Sequence, residues 1–149
     1  MRIDPAIESH YDTGYERFRL SPGGRPSLEF VRSMELLERL LPAPPARVLD
    51  VGGGPGTYAA PLARCGYRVH LVDPLPLHVE QARQAAGAAF TAAQGNAREL
   101  AEPDESQDAV LLFGPLYHLT EAADRRQALA QARRVLAPGG RLLALAAYL

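Results

Sequence analysis

Lysine is absent from this chain; all 16 of its basic residues are arginine. Alanine, glycine and proline are abundant as well, which marks coding bias rather than a function. Basic and acidic residues nearly cancel, leaving a net charge of −1. That excludes a strong electrostatic grip on nucleic acid or on an anionic membrane. No basic stripe with interleaved aromatics points to RNA or DNA either. The single cysteine, Cys65, cannot form an internal disulfide and suits a reducing cytoplasm. No apolar run is long enough to span a bilayer. The opening Met1-Arg2-Ile3-Asp4-Pro5 turns polar too early for a signal peptide. Histidine and acidic residues show no metal-ligand spacing, so no metal is expected. What is present is ordinary: 149 residues, 47% hydrophobic and 22% charged, which bound the chain to one globular domain with a real core.

The informative stretch is Arg47-Val48-Leu49-Asp50-Val51-Gly52-Gly53-Gly54-Pro55-Gly56-Thr57. It opens as a short apolar strand. Asp50 sits one residue before the strand's end, and four glycines follow within five positions. Glycine lets the chain turn with positive φ and lets a ligand approach the backbone. A helix is expected from about Thr57, ending near Cys65-Gly66. Strand, glycine loop and helix together bring backbone N–H groups and a helix N-terminus to a ligand.

Before this loop, Asp4-Pro5 starts a short helix running to about Tyr11, and Ser21 to Pro26 is a loop. Residues 1–26 therefore form an N-terminal segment, and residues 27–149 the main domain. Ser27 caps a helix to about Leu41, with Phe30, Val31, Met34, Leu37, Leu40 and Leu41 on one apolar face. After the loop come a strand from Tyr67 to Asp73, a helix from Pro76 to Ala86 with Val79 and Ala82 inward, and a weak strand from Ala89 to Ala93. Asp108 to Phe113 is apolar on both faces, hence a central strand. Thr120 then caps a helix to about Leu136 with Ala128, Leu129, Ala132 and Val135 inward. Pro138-Gly139-Gly140 ends it, and Arg141 to Leu149 is a fifth strand. This alternation makes an α/β fold, a doubly wound parallel sheet with helices on both faces. Asp73 lies about twenty residues beyond the loop, where such a sheet presents a carboxylate to ribose hydroxyls.

Asp50 with Gly52, Gly54 and Gly56 resembles motif I of the class I S-adenosylmethionine-dependent methyltransferases. The likeness extends through Gly95-Asn96-Ala97, Asp108 and Pro138-Gly139-Gly140-Arg141-Leu142. It implies a Rossmann-like sheet of order 3-2-1-4-5, and methyl transfer from S-adenosylmethionine. That family adds a final antiparallel strand pair that is missing here, so the chain is expected to be truncated or minimal. The resemblance implies cofactor contacts from Asp50, Gly52, Gly53, Gly54, Gly56, Thr57, Asp73, Pro74, Ala97 and Phe113. It places Asn96 at the adenine amino group, where the family commonly has aspartate. It makes residues 1–26 a lid, with Tyr11 or Tyr15 near the methionine moiety; the alternative is that these tyrosines only pack on the domain surface.

The sulfonium donor is already activated, so the protein must mainly hold donor and acceptor in line. It can also take a proton from the acceptor. His118, at the carboxyl end of the fourth strand, is the candidate catalytic base; the alternative is that it only lines the pocket. Tyr117 and His10 are weaker candidates, and His70, within a strand, is structural. The acceptor is expected to be a small molecule. A rival reading is an NAD(P)-binding Rossmann oxidoreductase, since Gly54-x-Gly56-x-x-Ala59 fits a degenerate dinucleotide fingerprint. Asp50 ahead of the glycines disfavours it. Another alternative is a cofactor-binding fragment without catalysis. The fifth strand would be an apolar edge open to a second copy of the chain.

Overall fold

The computed structural model describes residues 26–145. The described residues divide into two compact units between Leu41 and Pro42.

In the first unit, α1 (Leu28–Leu40) begins where Ser27, in extended conformation, accepts a 3.1 Å hydrogen bond from the Phe30 backbone N–H through Oγ. That satisfies one of the orphan donors of the first turn. The helix ends before Pro42, which lacks the N–H to continue it. Its buried line is narrower than expected. Ser33 and Leu37 are buried, but Val31 and Leu40 are 41% and 46% exposed. Each residue turns the helix by about 100°, which carries Val31 and Leu40 off the line through Leu37.

The second unit is a five-stranded parallel sheet of order β3-β2-β1-β4-β5, as expected. Its elements are β1 (Arg47–Val51), α2 (Ala59–Arg64), β2 (Arg68–Asp73), α3 (Pro76–Ala86), β3 (Thr91–Gln94), β4 (Gln107–Leu112), α4 (Pro115–His118), α5 (Ala122–Val135) and β5 (Leu136–Ala144). β1 is central, with Val51 opposite Val72 on one side and Leu112 on the other. One sheet face packs Leu49, Val51, Val72, Val110 and Leu112 under Ala128, Ala132 and Val135 of α5. Val48, Leu71 and Leu111 are equally buried, so the central strands have no solvent face, as a parallel sheet covered on both sides requires.

Several boundaries differ from the sequence reading. α2 starts at Ala59 because residues 52–58 are spent on turns. β3 starts two residues late. Pro115–His118 forms a separate short helix, α4, with proline at its start. α5 is capped at Glu121 rather than Thr120. Leu129 of α5 is 38% exposed rather than inward. β5 begins at Leu136, immediately after α5, so Pro138-Gly139-Gly140 lies inside the strand's span. The ladder is interrupted there, between the pairs Gln107–Leu136 and Ala109–Arg141, and Gly139 takes φ 78°. Among the described residues no helix is long and apolar enough to cross a membrane.

Leu111 is fully buried in β4. Leu111→Ala is expected to cost about 2–5 kcal/mol of unfolding free energy in denaturant titrations.

Candidate functional site

Because β1 to β4 run parallel, the loops that leave them share one edge of the sheet. This is also where strand order reverses about β1, the position at which open α/β sheets bind ligands. The glycine loop is its centre. Gly52 turns with φ 71° as its N–H donates to the Val72 carbonyl at 2.7 Å. A side chain there would lie 2.7 Å from the Pro115 ring, so the start of α4 closes directly on the loop. Gly54, at φ 57°, is the opposite case: a Cβ added there would meet none of the described residues within 4 Å. The backbone at Gly54 therefore fronts space that no described residue fills.

Two acids lie beneath this loop, and one of them holds it. Asp73, at the end of β2, accepts from the Gly54 N–H at 2.9 Å through Oδ2. Its Oδ1 accepts from the Leu75 N–H at 3.0 Å and lies 3.1 Å from His78 Nδ1. Asp50 is 1% exposed, and its Oδ2 has no hydrogen-bond partner among the described residues. Gly53 lies on it so closely that a Cβ there would stand 2.6 Å from that oxygen. Burial, with the Asp73 charge adding to it, pushes the Asp50 carboxyl from the ordinary 3.8 up to about 7.

Asn96 follows β3. Its Oδ1 accepts from the Arg98 backbone N–H at 3.0 Å and from Arg98 Nε at 3.4 Å. Both partners can only donate, which fixes the amide's orientation and commits its carbonyl. Arg98 is held in turn by Asp124 at 2.8 Å. Ala97 is buried, and Phe113, leaving β4, packs edge-on against Tyr58 with ring centroids 5.1 Å apart. Thr57 and Pro74 are half-buried on the same edge. His118 ends α4, half-buried, next to Tyr117, which is 38% exposed. The structure thus gathers Asp50, the glycines, Thr57, Asp73, Pro74, Asn96, Ala97, Phe113 and His118 at one edge of the sheet. Tyr11, Tyr15 and His10 lie outside the described residues.

Sequence reading missed two participants. His78 stands in the first turn of α3, five residues after Asp73; the Asp-x-x-x-x-His spacing across a Pro-started helix was the available signal. Pro115 against Gly52 joins residues too far apart in sequence for any local pattern to reveal.

Residues 48–140 match the family model described as a methyltransferase domain. An uncharacterized methyltransferase of Mycobacterium tuberculosis is 40% identical over 119 residues, 80% of this chain and 45% of that protein. A demethylmenaquinone methyltransferase of Deinococcus radiodurans is 42% identical over 107 residues, 68% of this chain and 43% of that protein. The chain spans about half the length of these curated relatives. The TehB-like SAM-dependent methyltransferase of Corynebacterium glutamicum superposes with a TM-score of 0.73 over 95% of this chain and 73% of that one. At 23% identity that likeness shows the shared fold.

The raised Asp50 value has a defined effect on stability. Between about pH 4 and 7 the native state binds a proton there that the unfolded chain has lost. Stability therefore falls as pH rises through this window and levels off above it. Asp50→Asn is expected to flatten that slope, gaining on the native chain at pH 8 and matching it near pH 4, as read from melting curves across the range.

Proposed function

The chain belongs to the methyltransferase-domain family, and we propose that it carries out S-adenosylmethionine-dependent methyl transfer to a small-molecule acceptor. When bound, S-adenosylmethionine supplies a methyl group on a sulfonium, already activated for in-line displacement. The residues present fit such a ligand. The observation that carries the reading is the open backbone at Gly54, flanked by two buried acids at the strand-order reversal.

In this reading the glycine loop cradles the ligand. Asp73 has a double task. It anchors Gly54, and Oδ2, which accepts one bond among the described residues, keeps a lone pair for a ribose hydroxyl. Asn96 has its carbonyl committed to Arg98 and offers its N–H₂ to the base edge. Phe113, Thr57, Pro74 and Ala97 line the same edge. His118 takes the acceptor's proton as methyl transfer proceeds. The small-molecule acceptor finds support in the Deinococcus relative, which is named for demethylmenaquinone. We place the activity in the cytoplasm, where the exposed thiol of Cys65 would stay reduced. We also propose pairing of two copies along β5, the outermost strand among the described residues, with Leu142 38% exposed. A monomer in sedimentation would refute that pairing.

Calorimetric titration with S-adenosylhomocysteine, with NADH as control, tests the cofactor. Binding of the former alone supports the reading, and binding of NADH alone overturns it. Asp73→Asn is expected to weaken that binding by about 1–3 kcal/mol, through the ribose bond and the loosened Gly54 anchor. Gly54→Val should abolish it by filling the open space. His118→Asn is expected to slow turnover by about 10²-fold or more while leaving S-adenosylhomocysteine affinity unchanged.

A further inference from the structure

The two acids beneath the glycine loop are unequally supplied. Asp73 accepts from two backbone N–H groups and meets the His78 imidazole. Asp50 is as deeply buried, yet Oδ2 has no donor among the described residues. Its strand neighbours Leu71 and Leu111 are apolar. Asp73 is the charge that acts on it, and that charge is negative. The elements meeting at the loop also carry His78 of α3, bonded to the Asp73 oxygen, Tyr58 just before α2, and Tyr117 and His118 of α4. Arg47 is paired with Asp108, Arg83 with the Ala92 carbonyl and His70 with Thr91, and Arg64, Arg68 and Glu80 complete the charged groups of these elements. Asp73 is the one among them whose charge acts on Asp50. A buried carboxylate with neither a donor nor a cation is costly, and the least costly remedy is a proton on the carboxylate itself. A positive charge brought to the loop removes that need.

We propose that Asp50 is a proton-exchanging specificity residue: it keeps a proton while the loop is free and gives it up when a ligand brings a cation to the loop. In that exchange the carboxyl O–H bond breaks, its electron pair stays on Asp50, and the proton passes to the buffer. The site then selects cationic ligands over uncharged ones of similar shape. Below about pH 7 it binds them up to about tenfold more tightly per unit rise in pH, levelling off above. This rests on the loop being an S-adenosyl site, where both a sulfonium and an α-ammonium are available as the cation.

The test is isothermal calorimetry in two buffers of different ionisation enthalpy, at pH 6 and pH 8.5. The ligands are S-adenosylmethionine, with both cations, S-adenosylhomocysteine, with the ammonium alone, and 5′-methylthioadenosine, with neither. At pH 6 the expected result is release of up to one proton per cationic ligand bound and none with 5′-methylthioadenosine, with the difference gone at pH 8.5. Release with both cationic ligands identifies the ammonium, and release with S-adenosylmethionine alone identifies the sulfonium. Asp50→Asn should bind without release. Infrared difference spectra of the unaltered protein provide a readout that needs no variant: the protonated-carboxyl band should vanish on adding the cationic ligand, which also separates Asp50 from an imidazole proton. Binding without proton release, equal release with 5′-methylthioadenosine, or an unchanged carboxyl band overturns the proposal alone. Failure of all three ligands to bind overturns the S-adenosyl reading and the proposal with it.

Discussion

The structure depends on one carboxylate. Asp73 ends β2 and holds three groups at once: the Gly54 N–H, the Leu75 N–H and the His78 ring. The first bond sets the height of the glycine loop above the sheet. The second turns the chain out of β2, and the third fixes the first turn of α3. Strand, loop and helix are thereby referred to a single side chain that is 4% exposed. Charge-assisted bonds from backbone donors are well suited to this, because a carboxylate at low exposure has little water to compete with them.

The opposite end of the sheet is built differently. There Arg47 meets Asp108 through its backbone N–H at 2.7 Å and its guanidinium at 3.1 and 3.2 Å, joining the starts of β1 and β4 in a solvated setting. The guanidinium beside Asp108 holds that carboxyl below its usual range. Arg134 works similarly at the end of α5, donating to the carbonyls of Leu100 and Glu102 and to Asp104. These contacts hold connections in place. The acid whose Oδ2 has no partner among the described residues, Asp50, lies instead at the carboxyl edge beneath the glycine loop, and that unsupplied group marks the working end of the fold.

Much of this was legible in the chain itself. Period-two and period-3.6 patterns located every strand and the longer helices of the second unit, and the glycine run with its preceding acid located the site. The family resemblance supplied the strand order. What escaped was tertiary. The face of α1 was drawn too wide because a sequence shows which residues are apolar, not how much of a helix is covered. Leu129 was placed inward for the same reason. The start of β5 was misplaced because Pro138-Gly139-Gly140 signals a break equally well after a helix or within an interrupted strand. The spacing of Asp73 points to a ligand, and its bonds to the backbone N–H groups of Gly54 and Leu75 are what no spacing rule reveals.

The contact between Gly52 and the β4 exit has a hereditary consequence. A side chain at Gly52 would strike Pro115, and one at Gly114 would come within 3.0 Å of the Gly52 carbonyl oxygen. Gly52 is therefore held to glycine by the Pro115 ring and Gly114 by the backbone oxygen of residue 52, although the contacts join stretches far apart in sequence. Chimeras joined between β3 and β4 would inherit the glycine loop from one parent and its ceiling from the other. Parents that combine glycine at position 52 with the same close approach of residues 114 and 115 could exchange halves and keep the loop intact.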